Sequence, residues 1–377
     1  MNITDQSCYR AVAEIDLSAL RSNYRLLRSL AHDAAMMVVV KADAYGHGAV
    51  AVSRALAKEG CAHFGVATIS EARELRAAGC EARIYLLGGF FPEDACRIVD
   101  LNLTPLVFDR DSIHAIGAAA AALGRHNFPV HLKLDTGATR LGVRLEELDG
   151  VIDQLRSERY LRLEGAGTLL ASAHDPASPV TDRQLGEFAT AIRRLTEAGF
   201  AVTITHVANS AALVLRSDAH RNLVRPGLAV YGLPPVAAVA ERAALTPVMT
   251  FKTRLLQVKR VAAGTGVSYG HTFVTQRPSL IAVLSVGYAD GYRRGLQHGG
   301  EVLIRGHRAP IVGAVCMDLT MADVTEIPDA RPGDEVILWG ISGSEIISVN
   351  EVARLAQTIS YEMLCTVGRR VSRIYKD

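Results

Sequence analysis

The pattern of apolar and polar positions over the first two-thirds of the chain alternates short β-rich runs with segments of helical spacing. Three segments of helical spacing stand out: AVAVSRALAKEG, which ends at Gly60, SEARELRAAG, which begins at Ser70, and DRQLGEFATAIRRLTEAG over 182–199. The β-rich runs are MVVVK (37–41), HFGVA (63–67), RIYLLG (83–88), TPLVF (104–108), VHLKLD (130–135), RLEGAG (162–167), VTITHV (202–207) and NLVRPG (222–227). Repeated strand–helix units of this number predict a (β/α)8 TIM barrel, with an open doubly wound sheet as the alternative.

The pattern changes near Leu245, where longer β-rich runs begin. They are TFKTRLLQVKRV (250–261), SLIAVLSVGYADGY (279–292), EVLIRGHRAPIVGAV (301–315) and DEVILWG (334–340). Ser348 and Glu351 form a capping-box pattern before one late helix. We therefore predict an α/β protein with two domains: an N-terminal TIM barrel over 1–242 and a mostly β domain over 243–377. The first residues could pack with the C-terminal domain.

Composition and charge exclude several classes of protein. The 41 Lys and Arg residues nearly balance 39 Asp and Glu residues, unlike the basic stripe of a nucleic-acid-binding protein. The N-terminal sequence MNITDQSCYRAVAEIDLS lacks the charged start and apolar run of a signal peptide, and no segment is apolar for long enough to span a bilayer. Six scattered cysteines without a Cys-x-x-Cys pair predict reduced thiols and no metal site. We expect a cytoplasmic protein that binds neither nucleic acid nor membrane.

Candidate chemistry lies where the predicted strands end, because catalytic groups of TIM barrels cluster there. Lys41 closes the first strand, and a desolvated lysine becomes a nucleophile that can form a Schiff base. The alternative is a lysine that reaches solvent at the barrel rim. Arg140 and Arg225 follow other strands, and Asn209 and Ser210 begin a predicted helix whose N–H groups suit a phosphate. These features together indicate a phosphate-bearing carbonyl cofactor, for which pyridoxal phosphate is suitable.

Sequence motifs then identify a family. VVVKADAYGHGA is similar to the cofactor-lysine signature of the alanine racemases. Further family blocks are matched in order, over nearly the whole chain, by HVANSAA, NLVRPGLAVYG, VSYGHTF, VGYADGYRR, GAVCMDLTMADV and SYEMLC. The resemblance implies a barrel followed by a β domain, pyridoxal 5'-phosphate as cofactor, and interconversion of L- and D-alanine. It also implies a role in supplying D-alanine for peptidoglycan.

The same resemblance implies roles for individual residues. Lys41 carries the cofactor, Tyr269 is the second base, and Arg225 faces the pyridine nitrogen. Tyr269 is supplied by the neighbouring subunit of a homodimer with shared active sites. The phosphate contacts are Tyr45, Ser210, Gly227, Leu228 and Tyr361. The groups around the substrate carboxylate and the entrance are Arg140, Tyr288 and Met317.

Physical chemistry agrees with these roles. Racemisation removes the α-proton from one face and returns a proton to the other, so two bases are simpler than one that crosses the plane. Lysine and tyrosine both have ordinary pKa values near 10, and a neighbouring Arg140 would lower the pKa of Tyr269. The guanidinium of Arg225 is always a donor. A pyridine nitrogen facing it would stay unprotonated, which would weaken the cofactor as an electron sink and disfavour transamination.

Four positions depart from the family pattern or leave a role open. Leu169 stands where the family often has a histidine against the pyridine ring, which predicts weaker cofactor retention unless His174 folds back as a substitute. Ala138 and Thr139 replace the methionine and glycine of a Thr-Gly-Met-Gly-Arg motif. Lys133 is either in contact with Asp135 or water, or carbamylated as in similar enzymes.

Other functions remain as alternatives. A decarboxylase of basic amino acids would have an acidic residue at the pyridine nitrogen, where Arg225 stands here. A racemase for serine or a wider range of amino acids is a closer alternative, although a secreted broad-specificity enzyme should carry a signal peptide. A pyridoxal-phosphate carrier protein would lack the C-terminal β domain.

Overall fold

The computed structural model describes residues 10–377. Cys8 and the first part of the N-terminal segment considered for a signal peptide lie outside the described residues. The chain divides into two compact units. The barrel unit contains Ala19–Ala44 and Ala49–Thr246. The second unit, the β unit, contains residues 10–18, Tyr45–Gly48 and Pro247–Asp377. No helix among residues 10–377 is long and apolar enough to cross a bilayer.

The barrel unit is built around parallel strands. The first strand of the chain, β1 (Ala11–Asp16), belongs to the β unit. The barrel strands are β2 (Ala35–Val39), β3 (His63–Val66), β4 (Arg83–Leu86), β5 (Thr104–Val107), β6 (Phe128–Lys133), β7 (Leu161–Gly167), β8 (Ile204–His206) and β9 (Leu223–Val224). They are hydrogen-bonded in the order β8-β7-β6-β5-β4-β3-β2-β9. Each overlaps one of the predicted runs, so the TIM-barrel prediction is confirmed.

Helices alternate with these strands. Their bounds are Leu17–Leu30, Ala49–Lys58, Ile69–Ala77, Ala95–Asp100, Arg110–Ala122, Leu148–Ser157, Pro179–Glu197, Ser210–Leu215 and Ala237–Ala240. The helix predicted to begin at Ser70 begins at Ile69, so Ser70 as its N-terminal cap is wrong. Thr68 is the N-cap, because its hydroxyl accepts from the N–H of Glu71 while the Glu71 carboxylate accepts from the N–H of Thr68. The helix predicted from residue 182 begins at Pro179, since Ser178 caps it.

A side chain helps to close the barrel between β8 and β9. Asn222 accepts from the N–H of Thr205 at 2.7 Å and donates to the carbonyl of Thr203 at 2.6 Å. The N–H of Arg225 donates to the carbonyl of Ala208 at 2.8 Å. The ends of β8, β9 and β2 are therefore neighbours around the barrel, since β2 pairs with β9.

The β unit is mostly antiparallel. Its further strands are β10 (Met249–Val261), β11 (Gly266–Val267), β12 (Phe273–Val274), β13 (Ser279–Leu284), β14 (Glu301–Ile304), β15 (His307–Pro310), β16 (Thr320–Asp323), β17 (Glu335–Ser342), β18 (Glu345–Ile347) and β19 (Ser372–Lys376). The main sheet has the order β15-β14-β17-β10-β1-β19, with β13 joining β10 to β16. Strand β1 pairs antiparallel with β10 and parallel with β19. Trp339 is fully buried against Phe251, with ring centroids 4.6 Å apart.

Two helices complete this unit, Val349–Leu355 and Ser360–Cys365. Ser348 caps the first, because its hydroxyl accepts from the N–H of Glu351 at 3.1 Å. The late helix predicted from this sequence pattern is therefore confirmed.

Candidate active site

Lys41 stands two residues after the buried end of β2 at Val39, at the start of an unusual turn. Residues 42–45 all have φ between 51° and 54°, a left-handed run that is costly for residues other than glycine. Two carboxylates hold this turn: Glu71 accepts from the N–H of Ala42 at 2.7 Å, and Asp43 accepts from the N–H of Ala49 at 2.7 Å. These two hydrogen bonds hold the backbone beside Lys41. The bond to Glu71 was not predicted from the sequence.

Ser210 and the segment after β9 form a set of converging N–H groups. Asn209 caps the helix Ser210–Leu215, as predicted, by accepting from two backbone N–H groups at 3.1 Å. The Ser210 hydroxyl accepts from the N–H of Gly227 at 2.9 Å and of Ala229 at 3.3 Å, on either side of Leu228. A phosphate oxygen can accept the same kind of hydrogen bond, so these residues fit the phosphate group of the predicted cofactor.

Arg225 is buried at the end of β9, and its guanidinium is held from several sides. Nη1 donates to Nδ1 of His206 at 2.8 Å and to the His206 carbonyl, while Nη2 donates to the carbonyl of Thr168 at 2.7 Å. Burial lowers the pKa of Arg225 to about 10, so the group remains a cation near neutral pH. Burial, followed by the charge of Arg225, lowers the pKa of His206 well below its usual range. His206 is therefore a neutral acceptor for Arg225.

Lys133 ends β6 inside the barrel and is 7% exposed. Burial, followed by the positive charges of Arg225 and Arg140, lowers its pKa to about 7, while Asp135 acts in the opposite direction. The Asp135 carboxylate also accepts from the N–H groups of residues 137–139 at 3.0 Å, which shapes the turn before Arg140. The Lys133 amine is thus partly neutral at physiological pH.

The segment that contains Leu169 is fixed by Gln184, a wholly buried residue. The Gln184 amide donates to the carbonyl of Leu169 at 2.8 Å and accepts from the N–H of Ala171 at 2.8 Å. His174 is exposed, and the hydrogen bonds that hold Arg225 come from other residues. The interpretation of His174 as a substitute for the family histidine is therefore not supported by its position.

The β unit brings three predicted residues onto neighbouring segments. The N–H of Tyr288 donates to the carbonyl of Cys316 at 3.0 Å, immediately before Met317. The Ser268 hydroxyl donates to the carbonyl of Ala314 at 2.8 Å, which ties the turn Tyr269–His271 to the same segment. The exposed fractions are large: 75% for Tyr269, 45% for Tyr288 and 52% for Met317. These side chains are accessible to a ligand or to a second subunit.

Tyr45 and Tyr361, both predicted to contact the phosphate, lie together in the β unit. Their ring centroids are 6.0 Å apart. Burial raises the pKa of both phenols, and Tyr361 adds to the effect at Tyr45. Both side chains are therefore neutral donors over the whole physiological pH range.

Sequence reasoning missed the residues that support the site. Glu71 belongs to a capping box, a pattern that can be recognised in the sequence. Its hydrogen bond to the N–H of Ala42 cannot be recognised there. His206 lies within the matched block HVANSAA, whereas Gln184 carried no signal beyond its place in a helix. Among residues 10–377 no group of three or more His, Cys, Asp or Glu side chains could hold a metal ion.

Comparisons with known proteins agree with the fold and with the motifs. Residues 15–235 match the model of the alanine racemase N-terminal domain, and residues 248–375 match that of the alanine racemase C-terminal domain. An alanine racemase of Symbiobacterium thermophilum is 43% identical over 363 residues, which cover 96% of each chain. An alanine racemase of Geobacter sulfurreducens is 39% identical over 369 residues, covering 97% of this chain and 96% of the relative.

Solved structures show the same relationship. The alanine racemase of Streptomyces lavendulae superposes with a TM-score of 0.93 at 36% identity, covering 98% of this chain and 97% of that one. That of Bartonella henselae, described with covalently bound pyridoxal phosphate, has a TM-score of 0.87 at 32% identity and covers 97% and 99%. That of Bacillus anthracis, described with bound L-Ala-P, has a TM-score of 0.92 at 34% identity and covers 98% and 95%. With both domain models matched over nearly its whole length, this chain belongs to the alanine racemase family, a family of pyridoxal-phosphate-dependent racemases.

Proposed function

We propose that this protein interconverts L- and D-alanine with Lys41 and Tyr269 as its two bases, and that it supplies D-alanine for peptidoglycan in the cytoplasm. The observation that carries the proposal is the grouping at one end of the barrel. Lys41 follows β2, Arg225 follows β9 and Ser210 follows β8, and these three strands are neighbours. Full-length similarity to alanine racemases supports alanine as the substrate.

Pyridoxal phosphate fits the residues of the barrel unit. When bound, it supplies a carbonyl for a lysine amine and an electron-withdrawing ring that acidifies the α-proton of the substrate. Lys41 would anchor it, and the N–H groups near Ser210, Gly227 and Leu228 would hold its phosphate. Tyr45 and Tyr361 stay predicted phosphate contacts. Arg225, fixed by His206 and by backbone carbonyls, would present N–H donors to the pyridine nitrogen.

The two bases would act on opposite faces of the substrate. Lys41 would exchange the proton of the D-isomer and Tyr269 that of the L-isomer. We propose that Tyr269 comes from the second subunit of a homodimer, since its side chain is 75% exposed in one chain. A two-fold contact would then supply both sites with both bases.

Arg140, Tyr288 and Met317 are proposed to surround the substrate carboxylate and the entrance. Arg140 follows the turn that Asp135 shapes, and its guanidinium can bind a carboxylate with two parallel hydrogen bonds. The exposed Tyr288 and Met317 lie on segments joined by backbone hydrogen bonds, so they would move together.

The proposal is tested by chiral separation of the products formed from a panel of L-amino acids. Alanine should be racemised fastest, and serine should be a poor substrate. Borohydride reduction followed by peptide mapping should place the cofactor on the peptide that contains Lys41. A label on Lys133, or equal rates with larger amino acids, would contradict the assignment.

A further inference from the structure

A row of buried polar side chains crosses the barrel interior from Arg225 to Glu164. Nη1 of Arg225 lies 2.8 Å from Nδ1 of His206, and Nε2 of His206 lies 2.9 Å from Nδ1 of His131. Nε2 of His131 lies 3.3 Å from Oε2 of Glu164. Both histidines are wholly buried and Glu164 is 7% exposed. Arg225 is therefore connected to a carboxylate that does not touch it.

The donors and acceptors along this row allow one direction of hydrogen-bond donation, from Arg225 towards Glu164. A guanidinium has no acceptor, so Nδ1 of His206 must accept from Arg225. Burial, reinforced by the charge of Arg225, lowers the pKa of His206, so the ring is neutral and its proton lies on Nε2. That proton is donated to Nδ1 of His131, whose pKa is also lowered by burial. The proton of His131 then lies on Nε2 and is donated to Glu164.

Glu164, at the opposite end of the row from Arg225, is an ionised carboxylate that only accepts hydrogen bonds. Burial acts to raise the pKa of Glu164, but hydrogen bonds from His131, Arg83 and Arg162 outweigh it and hold the pKa well below its usual range. Arg83 forms an ion pair with Oε2, and Arg162 donates to Oε1 at 2.8 Å. An ionised carboxylate has no proton to donate, so the whole row runs from the cation to the anion.

The backbone of β7 directs the Glu164 side chain into this row and leaves room for the His131 ring. Val130 pairs with Leu163 but His131 pairs with Gly165, so Glu164 is the extra residue of a β-bulge, a feature that redirects a side chain. A Cβ atom on Gly165 would lie 2.5 Å from the His131 ring. Only glycine at this position leaves room for the ring. The sequence Glu-Gly-Ala-Gly thus provides both the carboxylate and the space beside it.

We propose that Glu164 is a positioning residue that acts through His131 and His206 to hold the guanidinium of Arg225 in its binding orientation. The inference rests on the proposed role of Arg225 at the cofactor. Loss of the negative charge would weaken each hydrogen bond along the row, because successive bonds polarise one another. The guanidinium would then be held less firmly, and the cofactor would bind less tightly.

The test compares Glu164→Gln with Glu158→Gln by nitrogen and proton NMR of histidine-labelled protein. Glu158 is a suitable control because it also contacts a histidine, at 3.1 Å from Nδ1 of His114, outside this row. In the unmodified protein His131 and His206 should both be neutral with the proton on Nε2. In Glu164→Gln the Nε2 proton signals of both should move upfield, and the Kd for pyridoxal phosphate should rise about threefold to tenfold. Glu158→Gln should leave both unchanged.

A double-mutant cycle tests whether Glu164 acts through His131. The double variant of Glu164→Gln and His131→Asn should lose no more cofactor affinity than His131→Asn alone. Multiplicative losses would overturn the proposal, as would an imidazolium or an Nδ1-protonated ring at either histidine. Lower thermal stability of Glu164→Gln with unchanged His206 signals and cofactor affinity would also overturn it. Failure of the unmodified protein to bind pyridoxal phosphate would instead contradict the proposed function, since the proton positions are measured without it.

Discussion

The carbonyl oxygen of Thr168 accepts a hydrogen bond of 2.7 Å from Nη2 of Arg225. The next residue is Leu169, where the family often has a histidine, and Gln184 fixes the Leu169 carbonyl at 2.8 Å. These two hydrogen bonds fix the position of the backbone here relative to the guanidinium of Arg225. Because the backbone at position 169 is fixed, the chemistry of the side chain there decides whether it adds a contact to Arg225.

We expect Leu169→His to tighten cofactor binding. A histidine could supply a hydrogen bond that steadies Arg225, and one such bond near a charged group is worth about 1–3 kcal/mol, or roughly one to two decades in Kd. The measurement is pyridoxal phosphate dissociation, and added cofactor should activate the unmodified enzyme. His174→Ala is the control and should change nothing, because His174 is exposed. A large loss of affinity in His174→Ala would show that this histidine already fulfils the role.

We expect Lys133 to react with carbon dioxide. Burial, then Arg225 and Arg140, lowers its pKa to about 7, so the neutral amine is available above that pH. The nitrogen would add to the carbon of CO2 and release a proton to solvent, leaving an anionic carbamate that the positive charges of Arg225 and Arg140 would stabilise. A carbon-13 carbamate signal should appear with labelled bicarbonate, decline as the pH falls below about 7, and vanish in Lys133→Gln. The same signal in Lys133→Gln would assign the reaction to another amine.

The two bases should be distinguishable by the isomer they serve. In Tyr269→Phe, exchange of the α-proton of L-alanine with deuterated solvent should fall far more than that of D-alanine, because only the phenol would serve the L-isomer. Mass spectrometry of each isomer at short times measures both rates. Similar losses for the two isomers would indicate one base that serves both faces.

Subunits with different lesions should complement each other. Lys41→Ala and Tyr269→Phe should each be inactive as homodimers, whereas a mixed dimer would have one site with both lesions and one with neither. Random exchange should restore about a quarter of the activity of the unmodified enzyme. No recovery after subunit exchange has been verified would place both bases on one chain.

The sequence predicted the barrel strands well because each lies in a short β-rich run between segments of helical or turn character. The first strand was predicted to close at Lys41, and β2 ends two residues earlier, at Val39. The left-handed turn over 42–45 could not be predicted. One of the hydrogen bonds that hold it comes from Glu71, which lies 29 residues after Ala42 and accepts from its N–H.

The polar row behind Arg225 was hidden for a similar reason. The sequence placed His131 in the predicted strand run over 130–135, but its partners His206 and Glu164 are on β8 and β7. The bulge at Glu164 shifts the register by one residue, and no periodicity in the sequence reveals such a shift. Contacts between distant strands therefore determine the chemistry that the strand pattern leaves open.

Thr139→Gly should stabilise the protein. Thr139 has φ 51°, a region in which a β-branched residue is strained, and it stands where the family motif has glycine. Glycine removes that strain and keeps the N–H that donates to Asp135 at 3.0 Å. Glycine also makes the unfolded chain more flexible, so the net gain in the free energy of unfolding should be about 0.5–1 kcal/mol. Asn127→Gly is the matched control, because Asn127 is exposed with φ 54° and asparagine tolerates this region. Thermal or urea unfolding of both variants measures the difference. A loss of stability in Thr139→Gly, or an equal gain in Asn127→Gly, would show that the threonine is not the source of the strain.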